Sequence, residues 1–456
     1  MDKMGRKAPQ ASRRANAVRQ KQRKSCSTAD PVSVPTTGKI FANGNAIEPV
    51  QDEANPEQLS LLCWNGARAI SGSEMICDGQ SYVPAPIDPT ILKALTLPTG
   101  VASYGSPRKL LAELGSIMTA YGCFPENSIT AMSRWALSTW FPEVQPAPGL
   151  SLVGPDTSAG RQQFQLLHLL CRHGLMLTEV SVAGLLTLPM GWQLTLLIQQ
   201  PELSFEIQRI LSSARRGIGS IPRGGRVLEF HCGVATYTEL GGVHGSGLIP
   251  SFEISVPHSC QGLPVIDNAM RQKIADDFQP KLLRYRLENF SKVVNSVFDA
   301  PTLVPSIREL AKNLGACTPD DPDLQAQVPE FLRIQNKELR SAAWLELRTV
   351  IIEAILAYLH EAKQDCIYVR EIANAAEAIL AGRGESRKVE PREVGPRLHS
   401  LGLITEERNS KGIRLVLTSD VSRRVHQLAR DFSVPSIQNG ARRCPLCGNA
   451  PPKVRV

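Results

Sequence analysis

The stretch Leu150-Ser151-Leu152-Val153-Gly154-Pro155-Asp156-Thr157-Ser158-Ala159-Gly160-Arg161-Gln162-Gln163 decides how the chain reads. A short apolar strand runs into Gly154, a polar glycine-flanked loop follows, and FQLLHLLCRHGL (Phe164–Leu175) continues as an apolar helix. Downstream, LTLLI (Leu194–Ile198) is a continuous apolar run, the pattern of a strand covered on both faces. A helix is expected from Ser204 to Ala214, then strands at VLEFHC (Val227–Cys232) and SFEISVP (Ser251–Pro257). Strand, loop, helix, strand, helix, strand predicts a doubly wound α/β domain over residues 150–262.

With its glycines so placed, the 150–163 stretch resembles the phosphate loop of P-loop NTPases of the AAA-like and helicase-like type. A working loop reads G-x-x-x-x-G-K-[ST]: backbone amides cradle the phosphates, the Lys reaches the outer ones, and the hydroxyl ligates Mg²⁺. Here five residues separate Gly154 from Gly160, Arg161 stands in place of the Lys, and Gln162 in place of the hydroxyl. Thr157 and Ser158 are the hydroxyls left inside the loop. After LTLLI the family pattern calls for Asp-Glu to anchor the metal and polarise water. Gln199 and Gln200 stand there, both neutral amides. The resemblance therefore implies a P-loop-like fold with degenerate Walker motifs and no catalytic residues, able to hold ATP without efficient hydrolysis. Arg215 and Arg216 match the place where related ATPases of mobile elements carry basic residues near a subunit interface, which implies a finger on a neighbour's phosphate. Their other reading is a basic helix terminus complementing the dipole. Arg284 and Arg286 read either as sensor-type residues or as one solvated helix face.

On either side of this core the pattern changes. Residues 1–58, rich in Ser, Pro, Thr, Asn and Gly, are expected to be disordered, and 59–149 to form a small irregular β unit followed by helices. Ser106 and Pro107 read as N-cap and first residue of a helix with Leu110, Leu111, Leu114 and Ile117 on one face. Residues 263–339 read as a helical lid, and 433–456 as a tail. The order helix, short strand, helix, helix, hairpin, helix over 340–432 resembles a winged-helix domain. Val394, Leu398 and Leu401 should face its core, with Gly402 closing the third helix. That implies DNA contacts from Arg392, Arg397, His399 and Ser400 on the third helix, and from Arg408, Lys411 and Arg414 on the wing. Pro396 departs from the pattern and would let the helix begin at Gly395 instead. Glu390, Glu393, Glu406 and Glu407 give the same face mixed charge, so a protein-docking role stays open.

Charge and cysteine content bound the rest. The net charge of +8 lies in residues 1–24, which hold nine Lys or Arg against one acid, Asp2. Such an arm either tracks phosphates or is a solvated tail. Hydrophobic residues are 42% of the chain, enough for more than one core. There is no apolar run long enough to span a membrane, no signal h-region follows the basic start, and the 11 cysteines are too sparse for a disulfide scaffold. A cytoplasmic location is expected. Cys444 and Cys447 form a Cys-x-x-Cys half-site that needs two more ligands for zinc. Cys26 and His426 are the loose candidates, and two chains sharing one ion is the other arrangement. His168, Cys171 and His173 lie on an apolar helix without a carboxylate and read as core. The whole points to a nucleic-acid-binding protein of a mobile-element or replication-type system, with DNA, further copies of itself or an active ATPase as partners. The alternatives are a weakly active ATPase and a transcription regulator whose α/β domain binds a small effector.

Overall fold

The computed structural model describes residues 33–446 except 53, 145–147, 155–156, 201–202, 217–219, 224–225, 230, 240–250, 257–262, 335, 337–345, 362–364, 410–411, 433, 435–443 and 445. The basic arm lies outside the described residues. Those up to Leu332 form one compact unit and those from Arg333 a second.

Order begins well before residue 58, which corrects the expectation of a disordered segment to that point. The strands β1 (Val34–Thr36), β2 (Lys39–Ile40) and β3 (Ala46–Gln51) precede β4 (Leu59–Trp64), β5 (Ala69–Gly72), β6 (Met75–Cys77) and β7 (Gln80–Pro84). They form two small sheets, ordered β2-β3-β4-β5 and β1-β7-β6. The first five residues of β3, Ala46 to Val50, are buried, Glu48 included. The helices α1 (Pro89–Ala94), α2 (Pro107–Tyr121) and α3 (Ile129–Ser138) follow. As the sequence indicates, Ser106 caps α2, its hydroxyl accepting from the Lys109 amide at 3.2 Å, and Leu110 and Leu114 are buried.

The central sheet is built from β8 (Gly149–Gly154), β9 (Gly174–Leu177), β10 (Thr195–Gln199), β13 (Gly233–Glu239) and β14 (Phe252–Ser255). All pairings are parallel, in the order β14-β8-β13-β10-β9. Between these strands lie α4 (Thr157–Leu170), α5 (Val182–Leu185), α6 (Phe205–Arg216) and the strands β11 (Ser220–Arg223) and β12 (Arg226–Glu229). Half of the stretch expected as a sheet strand at 227–232, residues 227–229, therefore belongs to an antiparallel β11–β12 ribbon, and the strand that enters the sheet is the next one, β13. Alternation along β10 explains the unbroken apolar run there. Leu197 joins the core that holds Leu152, Phe164 and Tyr237, while Leu196 and Ile198 join Ile207 and Leu211 of α6.

The remaining helices of this unit are α7 (Asn268–Val294), which packs on α4, α8 (Pro305–Ala316) and α9 (Pro322–Phe331). One hydrophobic cluster runs from Ala46 to Leu332, so the segments drawn at 59–149, 150–262 and 263–339 share a core. A buried charge quartet joins the same parts. Glu48 of β3 accepts from Arg172 Nη2 at 2.9 Å and from Arg286 Nε of α7 at 2.7 Å, and Arg286 Nη2 reaches Glu143 at 2.7 Å. Burial would raise the Glu48 carboxyl, but the two guanidiniums outweigh it and hold it at about 2. Arg286 is thus structural rather than a sensor, and Arg284 pairs with Glu288 at 2.7 Å.

His168 and His173 are buried in this unit. Burial lowers both, and with Arg172 beside it His173 is pushed down to about 3 from 6.5. The folded state holds both imidazoles neutral, whereas the unfolded chain takes up protons below pH ~6.5. Stability should therefore be full above that pH and fall as pH drops from ~6.5 toward 3, with Glu48 adding a further loss below ~4.5. His173 has a left-handed backbone, φ 47°, which Asn tolerates. Urea unfolding of His173→Asn at pH 7 and pH 5 should give a smaller difference than wild type. An unchanged difference would remove His173 as a source of the acid sensitivity.

The second unit contains α10 (Leu347–Glu361), β15 (Cys366–Tyr368), α11 (Val369–Gly382), α12 (Pro391–Ser400), β16 (Glu406–Asn409), β17 (Gly412–Val416) and α13 (Ser419–Asp431). Its antiparallel sheet has the order β15-β17-β16. Val394, Leu398 and Leu401 are buried in its core. Gly402, at φ 73°, ends α12, and the Leu403 amide reaches back to the Leu398 carbonyl at 2.9 Å. Helix α12 starts at Pro391 and continues through Pro396, so a start at Gly395 does not occur.

Candidate functional site

An open parallel sheet takes ligands at the carboxyl ends of its strands, where successive connections diverge. The chain leaves β8 for β9 at one edge and leaves β13 for β14 at the other, so the divergence falls between β8 and β13. Gly154 and the start of α4 lie there, beside the end of β13. The expected loop is nearly gone. Strand β8 runs to Gly154 and α4 begins at Thr157, with residues 155–156 alone between them. Gly160, Arg161 and Gln162 are therefore helix residues, and amides that a phosphate loop would turn toward a ligand fall within the helix.

Tyr237 occupies the space between the two glycines. A Cβ on Gly154 would stand 1.9 Å from Tyr237 Oη, and one on Gly160 would stand 2.3 Å from Tyr237 Cδ2. The ring is fully buried and meets Phe164 edge-on, centroids 6.4 Å apart. These glycines are thus needed for close packing of a tyrosine. Tyr237 was missed in the sequence because the strand that carries it was missed.

The other candidates of this site have structural partners or lie apart. Arg161 is exposed. Gln162 donates to the carbonyls of Tyr121 at 2.8 Å and Pro264 at 3.1 Å, tying α4 to two flanking segments. Gln199 is buried at the end of β10, in register with Tyr237. Gln200 accepts from the Val180 amide at 2.9 Å. Arg215 is 1% exposed near Cys232, so it cannot serve as a finger on a neighbour. The side chains of Thr157, Ser158 and Arg216 lie outside the described residues. Tyr237 in the cradle and Gln162 held by carbonyls do not fit a magnesium nucleotide.

In the second unit the cations expected to meet DNA are largely committed. Arg392 is exposed but pairs with Glu390 at 2.5 Å. Arg397 folds back to donate to the Glu393 carbonyl of its own helix at 2.7 Å, and Ser400 donates to the Arg397 carbonyl at 2.8 Å. Arg414 is held by Glu406 at 2.6 Å, which raises the guanidinium further above its ordinary value. His399 is exposed. The side chains of Arg408 and Lys411 lie outside the described residues, as does Cys447. Cys444 lies beside His426, and behind it His360, a residue the sequence reading did not single out.

No family model and no curated protein matches the chain. Among solved structures it is similar to the apo NrS-1 C-terminal region, at 10% identity over 82% of this chain and 97% of that one, TM-score 0.35. A full-length MCM homolog from Methanopyrus kandleri aligns at 12% identity over 62% of this chain and 75% of that one, TM-score 0.31. Cdc6p from Pyrobaculum aerophilum aligns at 11% identity over 76% and 98%, TM-score 0.17. Among the described residues, no helix is long and apolar enough to cross a membrane.

Proposed function

We propose that the protein is a DNA-binding assembly factor in which an ATPase-like α/β sheet serves as scaffold and carries out no nucleotide chemistry. The observation that carries this reading is the Tyr237 side chain packed against both Gly154 and Gly160, at the point of the sheet where a ligand would enter. The amides at Gln162, Gln199 and Gln200 support it, since none supplies a charged anchor for a metal or a base for water. The DNA half of the reading rests on the winged-helix-like order of the second unit and on the nine cations of residues 1–24. Because Arg392 and Arg414 are paired with carboxylates, most of the phosphate affinity is assigned to the arm.

The test is one titration series on the full chain. ATP turnover should sit at background with and without magnesium. Duplex DNA should bind with a salt-dependent affinity whose slope becomes shallower when residues 1–24 are deleted, each engaged cation contributing roughly 0.9 to the slope. Magnesium-dependent turnover abolished by Arg161→Ala would overturn the scaffold reading. An unchanged salt slope after the deletion would overturn the role of the arm.

A further inference from the structure

We propose that His360, His426 and Cys444 bind one zinc ion within a single chain, joining Cys444 to α10 and α13. His426 Nε2 lies 3.4 Å from His360 Nε2 and 3.2 Å from Cys444 Sγ, and all three ligand atoms lie within 4.8 Å of one another. Tetrahedral zinc, with bonds of about 2.0–2.1 Å to nitrogen and 2.3 Å to thiolate, sets two nitrogens about 3.4 Å apart and a nitrogen and a sulfur about 3.5 Å apart. Both measured edges are close to those of such a tetrahedron.

The orientation of His426 strengthens the assignment. Its ring is buried, and Nδ1 lies 2.7 Å from the Ser422 carbonyl, which only an N–H can satisfy. The proton therefore sits on Nδ1, and the lone pair of Nε2 points into the cluster, the arrangement in which a backbone carbonyl orients a metal-bound imidazole. That single lone pair faces both His360 and Cys444. A cation placed among the three atoms would take that lone pair directly. The described residues supply three ligands, which leaves the fourth position of a tetrahedral ion open. The Cys444 thiol loses its proton to solvent on binding, and the two imidazoles bind as neutral ligands.

Zinc content should be measured by mass spectrometry on the full chain, purified without chelator or metal-affinity resin. One zinc per chain is expected. Cobalt substituted into the site should show tetrahedral d–d absorption and a thiolate-to-metal charge-transfer band. His360→Ala, at the half-exposed end of α10, should weaken zinc retention against a chelator by at least ~10-fold while leaving the circular dichroism unchanged. Cys444→Ser should do the same and also remove the charge-transfer band. One zinc per two chains, indifferent to His360→Ala, would overturn the proposal in favour of an ion bridging two Cys-x-x-Cys segments. A metal-free chain that gives no cobalt spectrum would overturn it outright.

Discussion

Replacing Glu48 by Gln is expected to destabilise the first unit by about 3–5 kcal/mol, near the cost of breaking a buried ion pair. The side chain removed is 2% exposed and lies between two guanidiniums that are themselves 1–2% exposed. With Glu143 the quartet is neutral. Without Glu48 two buried cations face one carboxylate, and neither can reach water without opening the contact between β3, the turn after α4, and α7. An exposed pair provides the contrast. Arg108 meets Asp321 at 2.5 Å, but its side chain is 58% exposed, and Arg108→Ala should cost under ~1 kcal/mol. Trp64, Trp135, Trp140 and Trp192 are all buried in the first unit, so tryptophan fluorescence during urea unfolding reports chiefly on it. A Glu48→Gln midpoint indistinguishable from that of Arg108→Ala would show that the quartet carries no more than surface charge does.

That network also marks where the sequence stops being legible. Periodicity found α2, β8, α4, β10 and most helices of the second unit, because an apolar face leaves its repeat in the chain. It missed β1–β3, since their order comes from distant partners. Glu48 reads as a surface acid until Arg172 and Arg286, far along the chain, are folded against it. It placed a sheet strand at 227–232 rather than 233–239, because VLEFHC carries stronger strand residues than GVATYTE while the sheet selects by its neighbours. The glycines of 154–160 stand at a close approach of backbone and side chain. Their spacing alone could not say whether the space they leave takes a phosphate or a side chain. Charge led to a similar error at Arg215, where a helix-terminal arginine read as reachable is buried. In the second unit the core positions were legible, but the pairing of Arg392 and Arg414 with nearby glutamates was visible only as a mixed-charge face.

Gly160→Ala distinguishes a packing role from a phosphate-binding role through the sign of its effect in two backgrounds. Within a helix, Gly to Ala alone should stabilise by ~1 kcal/mol, from propensity. In the wild type the added methyl would stand 2.3 Å from the Tyr237 ring, which is buried and has Phe164 at its edge. Overpacking of that kind costs ~1–3 kcal/mol or more, so the net effect should be destabilising. Tyr237→Ala alone should cost about 3–5 kcal/mol as a large-to-small change in a closed core. With the ring gone the clash is gone too, and adding Gly160→Ala to Tyr237→Ala should then raise stability by up to ~1 kcal/mol. Because the propensity gain cancels between the two backgrounds, the double-mutant cycle should give a coupling equal to the clash, ~1–3 kcal/mol or more, as for residues in direct contact. ATP binding serves as the second readout. Opening the crevice with Tyr237→Ala should not create magnesium-dependent affinity, because Gln162 remains held by the carbonyls of Tyr121 and Pro264. If Gly160→Ala is equally destabilising with and without Tyr237, the ring is not what the glycine accommodates. If Tyr237→Ala gains nucleotide binding, the tyrosine acts as a plug in a working site, and the scaffold reading gives way to one in which its displacement switches that site on.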